Sequence, residues 1–278
     1  MRGVVLLKLG GSLLTDKSRE DTDHPEIISR LAQEIAAALA GPQPPPLVVG
    51  HGSGSFGHAA AARSGIAAGL GSSERLRGVV ETRERAVELH RRVVAALAEA
   101  GALPYSISPS SALVTAAGKG ESFFLEPLQR ALDAGLLPVV YGDVVMDRAQ
   151  GAAIASTETV FLALADAGLP IARALWAGVT DGVLDDAGET IAHIRVGASR
   201  EAEAAAGASA ATDVTGGMRH RLAAVLELAV RGVESVLFDG RVPGRLGAVL
   251  KGEAVPGTRV DGVDSGRNGL SGHGPRPF

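Results

Sequence analysis

Short apolar runs of strand length, separated by longer segments of helical period, constrain this chain most. The runs fall at residues 4–9, 47–49, 137–141, 173–177 and 235–238. Between them, Ile27, Ile28, Leu31, Ile35 and Leu39 share one face of a helix that must end by Gly41 and Pro42. Ala86, Leu89, Val93 and Leu97 mark a second helix before Gly101, and Met218, Leu222, Val225 and Ala229 a third before Gly232. Asp23, with Glu26 three residues on, resembles a capping box for the first of these. Strands alternating with helices predict an α/β fold whose mainly parallel sheet is covered on both faces.

Composition narrows the function classes. Hydrophobic residues make up 46% of the 278, enough for one large core in a single continuous α/β domain. Aromatic residues are only 3%, which argues against a stacking platform for single-stranded nucleic acid. The net charge of −4 comes with no basic block, so broad polyanion binding is not expected, although a local anion site is. The absence of cysteine removes disulfides, thiolate catalysis and sulfur-ligated metals, and fits a reducing cytosol. The first apolar stretch is interrupted by Lys8 and Gly10, too short to span a bilayer and without a signal-type cleavage site; a soluble, cytoplasmic protein is expected. "GPQPPPL" from Gly41 reads as a loop, and residues 263–278 as a mobile tail.

In parallel sheets ligands sit beyond the carboxyl ends of the strands, and the glycine clusters fall there. "GGS" follows the first run, "GHGSGSFGH" the second, and "TDVTGGM" precedes the third helix. Three glycine turns converging on one rim predict a phosphate site. Each turn has two readings by itself. Gly10, Gly11 and Ser12, flanked by Lys8 and Lys17, suit an anion or are a tight turn beside two surface lysines. Gly52, Ser53 and Gly54 form a backbone nest at a helix start, where His58, four residues on, is a phosphate donor or a packing group. Arg219, His220 and Arg221 follow Gly217 as triphosphate ligands or as a solvated basic face. Glu158 orients lysines, or is an ordinary acid in the first turn of a helix. HExxH, GxSxG, P-loop, GxGxxG dinucleotide and EF-hand signatures are all missing.

The order "KLGGSLLTDK", "HGSGSFGH", "PSS", "PVVYGDVVMD", "DGV", "DVTGGM" and a final Gly257-Thr258 before Val260 resembles the amino acid kinase superfamily and, within it, the isopentenyl phosphate kinases. The resemblance runs over roughly residues 4–260, and "HGSGSFGH" is its most specific element. It implies a three-layer αβα sandwich around a central, mainly parallel sheet, one domain over 1–262. The acceptor half would run to about 150 and the ATP half over about 151–262. It also implies transfer of the γ-phosphoryl group of Mg-ATP to isopentenyl phosphate in an alternative mevalonate route, by a homodimer, with Mg2+ carried by ATP and not by protein ligands. Neither nucleic acid nor a membrane is an expected partner.

Carried over position by position, Lys8, Leu9, Gly10, Gly11 and Ser12 would hold ATP phosphates, with Gly54, Val179, Gly217 and Arg221 also on the nucleotide. Lys17 would stabilise the transferring group. Gly52, Ser53 and Thr157 would face the acceptor, His58 would donate to its phosphate, and Glu158 would act beside the lysines.

The chain departs from the family pattern in three places. Arg221 stands where a lysine is usual, Thr157-Glu158 where Gly-Asp is frequent, and Gly178-Val179 where Thr-Asp is frequent, so an ATP-facing aspartate is missing. Fosfomycin kinases share a similar histidine and are the nearest alternative; a catalytically silent nucleotide-binding regulator is the alternative of another class.

Overall fold

The structure, a computed structural model, describes residues 3–185, 187–195 and 217–263. The expected tail from 264 and residues 212–216 of the third glycine turn lie outside the described residues.

Along the chain, β1 (Val4–Leu9) leads through a single turn α1 (Gly11–Leu14) to α2 (Pro25–Leu39), β2 (Leu47–His51), α3 (Gly54–Ser64) and the long α4 (Ser73–Glu99). Then come β3 (Pro104–Ser106), α5 (Pro109–Ala112), β4 (Leu113–Ala116), β5 (Lys119–Phe123), α6 (Glu126–Asp133), β6 (Leu137–Tyr141), β7 (Asp143–Asp147) and β8 (Gly151–Ala155). The remainder is α7 (Thr157–Asp166), β9 (Ile171–Gly178), β10 (His193–Arg195), α8 (Gly217–Val230), β11 (Glu234–Asp239), α9 (Arg245–Leu250) and β12 (Thr258–Asp261).

Eight strands form one sheet in the order β10-β12-β11-β9-β1-β2-β6-β3, in which only β11 and β12 run antiparallel. The side-chain alternation of β1 divides the core. Val4 and Leu6 pack with residues of α7 and α8, while Val5, Leu7 and Leu9 pack with α2, α4 and α9. Buried on both faces, the central strands are continuously apolar, as parallel strands must be.

The five strands and three helices expected from periodicity are all present. The capping box is not. His24 occupies the cap position of α2, Pro25 opens the helix, and Asp23 instead accepts from Arg92 at 2.5 Å.

A second, four-stranded sheet, β5-β4-β7-β8, has no counterpart in the sequence reading. The chain enters it first at β4, after β3 and α5, and again by leaving the large sheet at Gly142, whose amide donates to the His51 carbonyl at 2.9 Å. Asp147 knits its two turns together, accepting from the amides of Ala117, Gly118, Ala149 and Gln150 and from the Thr115 hydroxyl.

Candidate active site

The first two glycine turns meet backbone to backbone at the carboxyl ends of β1 and β2. The Gly52 amide donates to the Leu9 carbonyl at 3.1 Å, and the Gly10 amide to Ala177 at 2.9 Å, which ties β9 to the same rim. A Cβ on Gly11 would lie 2.8 Å from the Gly54 nitrogen, and one on Gly52 would lie 2.9 Å from the Gly11 nitrogen. Contact this close between main chains requires glycine on both sides. Gly54 also has φ +54°, a conformation that disfavours other residues. Thr15 fastens the junction, donating to the Gly11 carbonyl at 2.8 Å and accepting from the Ser55 amide at 2.9 Å.

Above this junction lies a cavity of about 330 Å³. Of the residues expected at the site, Lys8, Gly11, Ser12, Lys17, His58, Glu158, Val179, Gly217 and Arg221 line it together. They come from six separate segments, and the starts of α3, α7 and α8 all lie at this rim, where helix dipoles favour an anion.

Other expected residues lie behind the wall. Leu9 is buried in the core, where only its main chain faces the turn. Gly10, Gly52 and Gly54 build the junction below the cavity. Ser53 precedes α3, with its hydroxyl over Gly57: a Cβ there would come within 2.5 Å of it. Thr157 is buried and donates to the His51 carbonyl at 2.7 Å, so its hydroxyl holds the end of β2. Its methyl fills the space over Gly50.

Lys8 and Glu158 form a buried ion pair at the cavity floor. Lys8 projects from the face of β1 beside Trp176, its ammonium 6.0 Å from the indole centre. Burial pulls the Lys8 ammonium down to about 8, opposed by Glu158 and reinforced by Arg221 and Lys17. Burial acts to raise the Glu158 carboxyl, but Lys8, by charge and hydrogen bond, and then Arg221 outweigh it and hold it at about 2. Both partners are therefore charged at neutral pH.

His58 sits one turn into α3, exposed on the cavity wall. Restricted access to water in the cleft lowers its pKa, as do Lys17 and Lys8, against the pull of Glu158. The free imidazole is neutral at pH 7.

Of the other wall residues, only His220 has a site reading from the sequence, as one member of the basic helix start after Gly217. His220 lines the wall and its Nε2 lies 2.9 Å from the Ser156 hydroxyl, which also caps α7. Its place beside Arg221 in "GGMRHR" was the available signal. Thr180, Gly182, Leu184 and Met218 complete the wall. Among the described residues no group of three or more His, Asp or Glu side chains is arranged to hold a metal ion.

Comparison with known proteins gives the family. The amino acid kinase family model matches residues 3–239. An isopentenyl phosphate kinase from Haloferax volcanii is 36% identical, with 93% of this chain and 99% of the relative covered. One from Methanothermobacter thermautotrophicus is 32% identical, with the same two shares covered. A solved structure described as isopentenyl phosphate kinase superposes with a TM-score of 0.77 at 29% identity, covering 92% of this chain and 99% of the other. With a rim of glycine turns, a buried lysine and carboxylate, and a family match over most of its length, the chain belongs to the amino acid kinase family.

Proposed function

We propose that this protein transfers the γ-phosphoryl group of ATP to the phosphate of isopentenyl phosphate, giving isopentenyl diphosphate and ADP. The observation that carries this reading is the convergence of Lys8, Lys17, His58 and Arg221 on one cavity of about 330 Å³ above two glycine turns in main-chain contact. Two phosphate-bearing ligands meeting end to end need such a surface, and the relatives' names supply the acceptor.

An acceptor phosphate oxygen attacks the γ-phosphorus while the bond to the bridging oxygen of ADP breaks. The acceptor is already an anion, so no strong general base is needed, and catalysis reduces to positioning and charge stabilisation. Lys8, held upright by Glu158, and Lys17 stabilise the transferring group. Gly10, Gly11, Ser12, Gly54, Val179, Gly217 and Arg221 form the nucleotide side, in the half from about 151 to 262 together with the first turn. Gly52, Ser53 and His58 form the acceptor side, His58 donating to the acceptor phosphate and Thr157 supporting it from below.

Mg2+ fits as a companion of the nucleotide. Among the described lining residues the only carboxylate is Glu158, and it is committed to Lys8. Bound to ATP, the metal neutralises phosphate charge.

A cytoplasmic enzyme fits the lack of cysteine, and none of the described helices is long and apolar enough to cross a membrane. Homodimeric assembly follows the family resemblance, and sedimentation velocity tests it.

The test is ADP release with isopentenyl phosphate, fosfomycin or no acceptor. Turnover with isopentenyl phosphate is expected. Turnover with fosfomycin alone transfers the assignment to the fosfomycin kinases, and ATP binding without turnover of either marks a regulator.

A further inference from the structure

Behind the acceptor turn lies a polar cluster that the reaction does not use directly. His51, at the end of β2, is fully buried, and His90, on the inner face of α4, is 5% exposed. His51 Nδ1 lies 3.1 Å from the Gly52 carbonyl, His51 Nε2 lies 3.0 Å from His90 Nδ1, and His90 Nε2 lies 2.8 Å from the Ser106 hydroxyl. The Tyr141 ring stacks on both imidazoles, at 5.8 Å from His51 and 4.1 Å from His90.

The bonding order is forced. A carbonyl oxygen only accepts, so His51 carries its proton on Nδ1 and accepts at Nε2. His90 must then donate from Nδ1, leaving its Nε2 to accept from Ser106. Every bond is satisfied by two neutral rings, and burial keeps them neutral, lowering His51 to about 4 and His90 to about 3.

The backbone at His51 is held as well. Its carbonyl accepts from the Thr157 hydroxyl at 2.7 Å and from the Gly142 amide at 2.9 Å. The next peptide, Gly52, opens the turn that starts α3, whose first amides have no acceptor within the helix.

We propose that His51 and His90 are positioning residues, a directional strut that runs from Ser106 to the Gly52 carbonyl and sets the tilt of the Ser53 amide, in the same peptide plane, offered to the acceptor phosphate. The proposal rests on the functional reading for the identity of that phosphate. The strut touches the acceptor turn, while Lys8, Gly10, Gly178 and Arg221 lie outside it. Cutting it therefore disturbs the acceptor more than ATP.

Steady-state kinetics on His90→Ala and His90→Asn test this. Asparagine places an amide N–H near the former Nδ1 and keeps the bond to His51, whereas alanine leaves His51 Nε2 without a donor. In His90→Ala the acceptor KM is expected to rise on the order of tenfold or more, the cost of a small misplacement, with the ATP KM within about twofold of wild type. His90→Asn should recover most of the loss.

Equal changes in both KM values, or none in either, overturn the strut. So does a 15N spectrum of the wild-type protein showing His51 protonated on Nε2, a measurement that needs no variant to fold. If wild type does not turn over isopentenyl phosphate, the functional reading falls alone. Affinity for inorganic phosphate, expected to be at least tenfold weaker in folded His90→Ala than in wild type, then decides for or against the strut.

Discussion

Gly178 and Arg221 share one space: a Cβ built on Gly178 would lie 2.7 Å from Arg221 Nη1, and one on Gly10 would lie 3.5 Å from Nη2. The guanidinium lies across the carboxyl ends of β1 and β9, over the first phosphate turn. The family pattern that the sequence resembles has threonine and lysine at these two positions, so the two departures noted in the sequence are one spatial change. A wider head group occupies room that a side chain has vacated.

Gly178→Ala therefore displaces Arg221 without unfolding the protein, because the colliding atoms are the free end of a long side chain. Loss of a charge-assisted hydrogen bond to phosphate costs about 1.5–3 kcal/mol, so the ATP KM should rise roughly tenfold or more. Arg221→Lys should cost less in the Gly178→Ala background than in wild type, the signature of contact. Additive effects in that double-mutant cycle argue against a shared space.

Glu158 offers a sharper electrostatic test. In Glu158→Gln the buried Lys8 ammonium loses its counter-charge while Arg221 and Lys17 still press on it, so its pKa falls below about 8. The basic limb of the kcat profile should then move to lower pH. Breaking a buried pair by removing one partner also costs about 3–5 kcal/mol, readable as a fall in Tm. An unmoved basic limb in the folded variant means that Lys8 does not act as a cation in turnover.

His58 is neutral in the free protein, and an incoming dianion reverses the balance that lowers its pKa. Binding of the acceptor should take up a proton near neutral pH, seen as a buffer-dependent enthalpy in calorimetry. His58→Ala should abolish that uptake, retain ATP binding, and lower turnover roughly a hundredfold, or on the order of 3 kcal/mol. Unchanged kinetics in this variant remove His58 from the mechanism.

How far the sequence revealed this site depended on the range of the interaction. The meeting of Lys8, His58 and the first two glycine turns at one rim was legible because strand ends and helix starts are local events, and a parallel sheet brings such ends together. The small sheet was not. Its β5 reads "KGESF" and is mostly exposed, and its β8 reads "GAAIA", with too little apolar bulk to signal a strand. The Asp23 cap failed because a tertiary partner, Arg92, took the carboxylate. His90 reads as one more position on the buried stripe of Ala86, Leu89 and Val93, and only the packing of α4 against β2 and β6 discloses its partner. Gly78 lies in the same helix, where a Cβ would come within 2.2 Å of the Ser64 Cβ; the mid-helix glycine is the cost of that close approach between α3 and α4.

The buried pair also sets the acid stability of the fold. An unfolded histidine titrates near 6.5, whereas burial lowers His51 in the native state to about 4 and His90 to about 3. With the native pKa depressed, the unfolded chain binds protons first, so stability is full above 6.5 and drains as pH falls toward 4 and below. Each pKa unit corresponds to about 1.4 kcal/mol, so His51 alone accounts for up to roughly 3 kcal/mol over this window. Carboxylates held low, such as Glu158 at about 2, lose their contribution only below their unfolded value of 4.5, so the interval between pH 6.5 and 5 favours the histidines, against which the Asp143 carboxyl, raised by burial, acts with the opposite sign. Urea midpoints measured across that interval should decline in wild type and decline less steeply in His90→Asn, which has one buried titrating ring fewer. Parallel slopes in the two proteins would place the titrating group elsewhere.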